Sequence, residues 1–94
     1  MRLRDRGAAQ PCFQLLRYPM IDDRNETPSS HAVTDTRAWN RPANLTGWTA
    51  YLGDRRGTAD VAAEAAPARA DDLTGLPPAI ITVGGLDMFL DEDI

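Results

Sequence analysis

Two short runs of apolar residues, one towards each end of the chain, have the length and composition of β-strands. Residues 13–18 lie between Pro11 and Pro19, which cannot donate hydrogen bonds to a sheet and therefore bound the strand. Residues 79–83 are β-branched and almost continuously apolar, as in a parallel strand that is covered on both faces. Neither run has an evident hairpin partner, and helical and loop sequences separate the two. The pattern therefore predicts an α/β design with a parallel sheet.

Between the two strands, one segment has the signals of a complete helix, from about Arg41 to Leu52. Asn40 is a suitable N-cap, Pro42 falls in the first turn, and Gly53 follows the last turn as a stop signal. The larger apolar side chains share one face of the predicted helix: Leu45, Trp48 and Leu52.

The remaining segments are polar or broken. Residues 2–7 are typical of the last turn of a longer helix that ends at Gly7. Residues 20–37 predict a long loop, and residues 59–70 a short turn or helix. Asp91 is a plausible N-cap for a helix that begins where the chain stops. Both ends therefore resemble cut elements, which favours a fragment of a larger domain.

Composition excludes several classes of protein. Ninety-four residues suffice for one small domain, and 43% hydrophobic with 26% charged residues is ordinary for a globular chain. A net charge of −4 gives no basic surface for nucleic acid, and no apolar run is long enough to span a bilayer. The single cysteine, Cys12, cannot form an internal disulfide, which favours a cytoplasmic location. We expect no cofactor and no metal site.

Five segments resemble the second half of hormone-sensitive-lipase-type esterases, an α/β-hydrolase family. They occur in the family's order and cover nearly the whole chain: residues 13–24, 27–30, 39–53, 65–70 and 76–93. The strongest reads Leu76-Pro77-Pro78-Ala79-Ile80-Ile81-Thr82-Val83-Gly84-Gly85-Leu86-Asp87-Met88-Phe89-Leu90-Asp91-Glu92-Asp93. The resemblance implies that residues 1–94 are part of a single α/β-hydrolase domain, from after the nucleophile helix to just past the triad acid. This partial fold, two parallel strands with connecting helices, is incomplete on its own.

The same resemblance assigns a catalytic role to Asp87. In such esterases the corresponding strand leads to the acid of a Ser-His-Asp triad, followed by a short turn and an Asp-Glu pair. A carboxylate outside the carboxyl end of a parallel strand can hold an imidazole in the required tautomer and stabilise the imidazolium. Two positions depart from the family pattern: Met88 stands where many members have proline, and Arg17 where a strand usually has an aliphatic residue.

The other triad members are absent from the 94 residues. Neither the Gly-x-Ser-x-Gly nucleophile motif nor a His-Gly-Gly oxyanion motif occurs. We therefore expect a serine carboxylesterase or lipase-like hydrolase that acts on small carboxylic esters when complete and is inactive as this chain alone. A separate chain could supply the serine and histidine. The alternative is a non-catalytic interaction domain that self-associates, or binds another chain, through exposed strand edges.

Several polar side chains are better interpreted as structural than as catalytic. His31 is the only histidine, but it precedes Asp87, whereas the family's order is Ser, Asp, His. Ser29 and Ser30 lack the strand-to-helix turn of a nucleophile, and loop or capping roles are favoured. Asp91 and Glu92 have no partner base, so they indicate a helix start.

The cysteine and the aromatic residues are also interpreted as structural. Cys12 is expected to be a small buried residue. Trp39, Trp48 and Tyr51 could line an acyl pocket, although packing of Trp48 between helix and sheet is favoured. The loop of residues 22–24 leaves the carboxyl end of a strand and could approach a substrate.

Overall fold

The computed structural model describes residues 1–94, which form four helices and a two-stranded sheet. In chain order these are α1 (Arg2–Asp5), β1 (Gln14–Arg17), α2 (Pro28–Ala32), α3 (Arg41–Leu52), β2 (Ala79–Thr82) and α4 (Leu90–Asp93). Two short 3₁₀ helices lie between α3 and β2, at Gly53–Arg55 and Pro67–Arg69.

The two strands pair in parallel, as the sequence predicts. Gln14 lies opposite Ala79 and Arg17 lies opposite Thr82. All four residues of β2 are exposed, so the prediction that this strand is covered on both faces is wrong for these 94 residues. The main contacts of β2 are with β1, while the helices contact one another and the adjoining turns.

Helix α3 has the predicted bounds because its local signals agree with one another. The side chain of Asn40 accepts a hydrogen bond from the backbone N–H of Ala43 at 3.0 Å. At the other end, Gly53 has a φ of 61°, a left-handed value that a glycine adopts without strain. The predicted helix is confirmed.

Helix α2 lies inside the segment that the sequence predicts as a loop. Thr27 is its N-cap and accepts a hydrogen bond from the backbone N–H of Ser30 at 3.3 Å, and Pro28 opens the first turn. The prediction of Asp91 as an N-cap is wrong, because α4 begins after Phe89 and has no side-chain cap. Asp91 instead contacts the start of α2, as described below.

The apolar core lies between α3 and the segment that follows it, rather than on the sheet. Trp48 and Leu52 pack with Val61 and Ala66, and Met20 covers the cluster from the side. Trp48 is therefore buried, but the expected packing of this residue against the sheet is wrong. The core is small, as expected for a chain of this length.

Half of the buried residues are polar and come from the loop after β1, α2 and the start of α3. The set consists of Asp22, Asp23, Asn25, Ser30, Asn40 and Asn44. Hydrogen bonds join its members to one another or to nearby backbone, as buried polar groups require. The loops at this end of the sheet are thus held by directional contacts more than by apolar packing.

Asp23 is fully buried and holds three segments together. Its carboxylate accepts hydrogen bonds from Nη2 of Arg69 at 2.9 Å, from Nε of the same side chain, and from the backbone N–H of Gly57 at 2.6 Å. Burial would raise the pKa of Asp23, but the hydrogen bonds from Arg69 and Gly57 outweigh it and lower that pKa below its ordinary value.

Glu92 joins the start of α4 to the loop after β1. Its Oε1 accepts hydrogen bonds from the backbone N–H groups of Ile21 at 2.8 Å and Asp22 at 3.2 Å. Burial raises the pKa of Glu92 to about 7, opposed by those two donors and reinforced by the charges of Asp22 and Asp93. The carboxyl group is therefore partly protonated near neutral pH.

The buried ion pair of Asp23 predicts a large loss of stability when its cation is removed. We expect Arg69→Met to lower the free energy of unfolding by about 3–5 kcal/mol, because the carboxylate stays buried without its partner. Arg37→Met is the matched control, since Arg37 pairs with Asp35 at 2.7 Å and both side chains are exposed, 88% and 48%. We expect it to leave the free energy of unfolding almost unchanged, because water screens an exposed ion pair. Urea unfolding at pH 7 measures both, and equal losses would contradict the prediction.

Glu92 predicts that stability falls as the pH rises. Its pKa is higher in the folded chain than in the unfolded chain, so the folded state binds the proton more tightly. The resulting stabilisation is complete below about pH 4.3 and is lost as the pH rises through 7. Glu92→Gln keeps a side-chain oxygen but cannot ionise.

We therefore expect Glu92→Gln to be more stable than the parent at pH 8, by about 1 kcal/mol because water screens a half-exposed group. The difference should vanish near pH 4.5. Thermal unfolding across this pH range measures the effect, with the exposed Glu64→Gln as control. A difference that is the same at both pH values would contradict the assignment.

Candidate functional site

The carboxyl ends of β1 and β2 lie side by side because the strands are parallel. The last rungs of the sheet pair Arg17 with Thr82, and the backbone N–H of Tyr18 donates to the carbonyl of Thr82 at 2.6 Å. Tyr18 has a φ of 39°, an uncommon value for a residue with a side chain, which turns the chain sharply out of β1. The loop after β1 and the turn after β2 therefore start at the same edge, where ligands of such sheets bind.

Asp87 stands at the corner between two successive turns after β2. Its backbone N–H donates to the carbonyl of Gly84 at 3.0 Å, and its own carbonyl accepts from the N–H of Leu90 at 3.3 Å. The side chain is half-buried, and its Oδ1 accepts from the backbone N–H of Phe89 at 2.9 Å. Oδ2 accepts no hydrogen bond within the chain, so one carboxylate oxygen is free for an external donor.

Buried neighbours hold this turn in place. Met88 and Phe89 are only 1% and 6% exposed. Asp93 also lies close, with both carboxylate oxygens buried and without a hydrogen-bond partner. Burial raises the pKa of Asp93 to about 6, and the charge of Asp87 acts in the same direction. The surroundings of Asp87 are thus acidic, which favours a cationic or N–H-donating partner.

The other polar side chains considered from the sequence are either exposed or already hydrogen-bonded within the chain. His31 is an exposed residue of α2. Ser30 is buried, and its hydroxyl donates to the carbonyl of Thr27 at 2.7 Å. The carboxylates of Asp22 and Asp23 are both paired with arginines, so this loop offers no free charge to a substrate.

The cysteine and the aromatic residues lie away from the Asp87 turn or make structural contacts. Cys12 is exposed, so the expectation of a buried residue is wrong; it lies in the irregular segment before β1, outside the core. Trp39 is half-exposed and donates from Nε1 to the side-chain oxygen of Asn44 at 3.0 Å. Tyr51 borders an open cavity of about 710 Å³ that lies along the sheet face of Leu16. No residue of the Asp87 turn lines that cavity.

The contact between α2 and the Asp87 turn was not predicted from the sequence. The hydroxyl of Ser29 donates to the carbonyl of Met88 at 2.9 Å and accepts from the backbone N–H of Asp91 at 3.1 Å. In return, the carboxylate of Asp91 accepts from the backbone N–H of Ser29 at 2.6 Å. The Thr27-Pro28 pair is a helix-start signal that could have revealed α2, but nothing local indicates its partner.

No cluster of three or more histidine, cysteine or acidic side chains is arranged to hold a metal ion. None of the helices is long and apolar enough to cross a bilayer. The groups that the fold places around Asp87 are carboxylates, backbone amides and the hydroxyl of Ser29.

Comparisons with known proteins agree with the geometry. A family model described as alpha/beta hydrolase fold matches residues 1–94. A solved structure titled bacterial heroin esterase is 42% identical, with a TM-score of 0.90 over 98% of this chain, and the chain spans 30% of that esterase. The comparison with curated proteins gives no match. The chain therefore belongs to the α/β-hydrolase family and is an esterase-like part of that fold, as its resemblance to hormone-sensitive-lipase-type esterases predicted.

Proposed function

We propose that this chain supplies the acid of a Ser-His-Asp triad in an enzyme that hydrolyses small carboxylic esters, and that Asp87 is this acid. The observation that carries the proposal is the position of Asp87. It lies in the turn after the carboxyl end of a parallel strand, and one of its carboxylate oxygens is fixed while the other is free. The 42% identity to an esterase over this stretch supports the reaction class.

The two oxygens of Asp87 suit different tasks. Oδ1 is held by the N–H of Phe89, which fixes the rotation of the carboxylate. Oδ2 can then accept the Nδ1–H of an imidazole, which keeps the other ring nitrogen free to take a proton from a serine hydroxyl. When the imidazole becomes charged during acyl transfer, the carboxylate stabilises it without itself taking the proton.

The 94 residues alone lack the groups that would use this acid. They contain no Gly-x-Ser-x-Gly motif, and the single histidine, His31, is exposed on α2. We propose that the chain is inactive unless further sequence, in the same or another chain, adds a serine and a histidine. The lone Cys12, which forms no disulfide, supports a reducing, cytoplasmic location.

A hybrid enzyme tests the role of Asp87. Residues 1–94 would replace the matching stretch of the bacterial heroin esterase, and hydrolysis of p-nitrophenyl acetate would be measured. We expect the hybrid to be active and Asp87→Asn to lower kcat by roughly 10⁴-fold, because the imidazole loses its orienting charge. The exposed Asp54→Asn is the control and should keep full activity.

Two results would contradict the proposal. One is an active hybrid whose kcat is unchanged by Asp87→Asn, which would remove Asp87 from the triad. The other is ester turnover by the 94-residue chain alone that Asp87→Asn abolishes, which would require a nucleophile within these residues. We expect the chain alone to show no hydrolysis above buffer.

A second candidate is a non-catalytic interaction domain, which the exposed apolar strand residues favour. Leu15 is 64% exposed and Ile80 is 51% exposed, on a sheet with two unpaired edges. Under this alternative the purified chain forms a defined dimer, and Ile80→Lys shifts it to monomer in light scattering at micromolar concentration. A chain that stays monomeric, or forms only polydisperse aggregates, would exclude self-association as this role.

A further inference from the structure

One peptide group, between Met88 and Phe89, makes contacts on both of its sides. Its N–H donates to Oδ1 of Asp87 at 2.9 Å, and its C=O accepts from the hydroxyl of Ser29 at 2.9 Å. The peptide group is trans and planar, so its N–H and its C=O point in opposite directions from one rigid unit. Any tilt of that unit therefore changes both contacts together.

The hydroxyl of Ser29 is itself held in a fixed direction. It accepts from the backbone N–H of Asp91 at 3.1 Å, while the carboxylate of Asp91 accepts from the N–H of Ser29 at 2.6 Å. The Met88 carbonyl, at 2.9 Å, is a nearer acceptor for the hydroxyl proton than Oγ1 of Thr27, at 3.5 Å. The start of α2 thus fixes the orientation of the 88–89 peptide across a separation of about 60 residues.

The carboxylate of Asp87 needs such an anchor. Rotation about the bond to a carboxylate is soft, with broad minima, so packing alone does not set the direction of its oxygens. A hydrogen bond accepted by a peptide C=O also polarises the peptide and strengthens its N–H as a donor. The contact from Ser29 to the Met88 carbonyl therefore both aims and strengthens the donor that holds Oδ1.

We propose that Ser29 is a positioning residue for the triad acid and acts on Asp87 through the 88–89 peptide, a connection termed the relay. The inference rests on the proposed function of Asp87 and adds a residue from a different element of the fold. In this role Ser29 contacts the 88–89 peptide and sets the direction in which Oδ2 of Asp87 is presented.

Ser30 provides a matched control for Ser29. It is the next residue of the same helix, and its hydroxyl also makes a hydrogen bond to a backbone carbonyl, that of Thr27. It makes no hydrogen bond to the turn of Asp87. Replacing either serine by alanine removes one hydroxyl from α2, but only Ser29→Ala frees the 88–89 peptide.

The first test uses the 94-residue chain itself. In Ser29→Ala we expect the amide of Phe89 to exchange with solvent roughly fivefold faster or more, relative to the amide of Trp48 in α3. Ser30→Ala should leave that ratio unchanged. Equal ratios in the two variants, measured by NMR hydrogen exchange, would overturn the relay.

The second test measures kinetics in the esterase hybrid described above. Ser29→Ala should lower kcat by about tenfold to hundredfold with KM unchanged, as expected for a misdirected catalytic group. Ser29→Thr retains a hydroxyl and should restore most of the activity, while Ser30→Ala should stay within about twofold of the parent.

The Asp87→Asn variant of the same hybrid separates the two proposals. If Asp87→Asn abolishes turnover while Ser29→Ala behaves like Ser30→Ala, the relay is wrong and the triad acid stands. If Asp87→Asn has no effect on kcat, the proposed function fails and the relay fails with it. A fall in kcat for Ser29→Ala that Ser29→Thr reverses supports the relay.

Discussion

Parallel pairing of β1 with β2 determines where the polar contacts of the site can form. Because the strands are parallel, both end at the same edge of the sheet, and the loop after β1 contacts the turn after β2 there. Glu92 and the Ser29–Asp91 pair bridge these segments with hydrogen bonds of 2.6–3.2 Å. A slip of one residue in the pairing would displace one segment by about 3.3 Å and break every one of these contacts.

Local signals were enough to predict some elements and not others. The bounds of α3 follow from Asn40, Pro42 and Gly53, which all lie within or beside the helix and agree with one another. Helix α2 was missed because its five residues are too few to be stable by themselves. Its first turn depends on the carboxylate of Asp91, which lies 62 residues further along the chain.

For the site, the family resemblance predicts a catalytic role for Asp87, which stays a prediction, but it does not supply the contacts around that residue. Asp91 has the residue type of an N-cap, yet it lies inside α4, and its carboxylate accepts from the N–H of Ser29 at the start of a different helix, α2. Trp48 was correctly expected to be buried, but its partners, Val61 and Ala66, lie in a segment without clear periodicity. The wrong predictions, the helix that Asp91 caps and the packing partners of Trp48, both concern contacts between segments rather than local structure.

The contacts that hold the loops at the site also constrain how the chain folds. Those of Ser29 and Glu92 join residues 59 to 71 positions apart, and the strand pairing spans 65 (79 − 14). Closing loops of that size costs chain entropy before any single hydrogen bond can offset it, and a high contact order slows folding. The Asp87 turn therefore gains its support only when distant parts of the chain have come together. A nascent chain that has not yet synthesised α4 leaves α2 without the carboxylate that accepts from the N–H of Ser29.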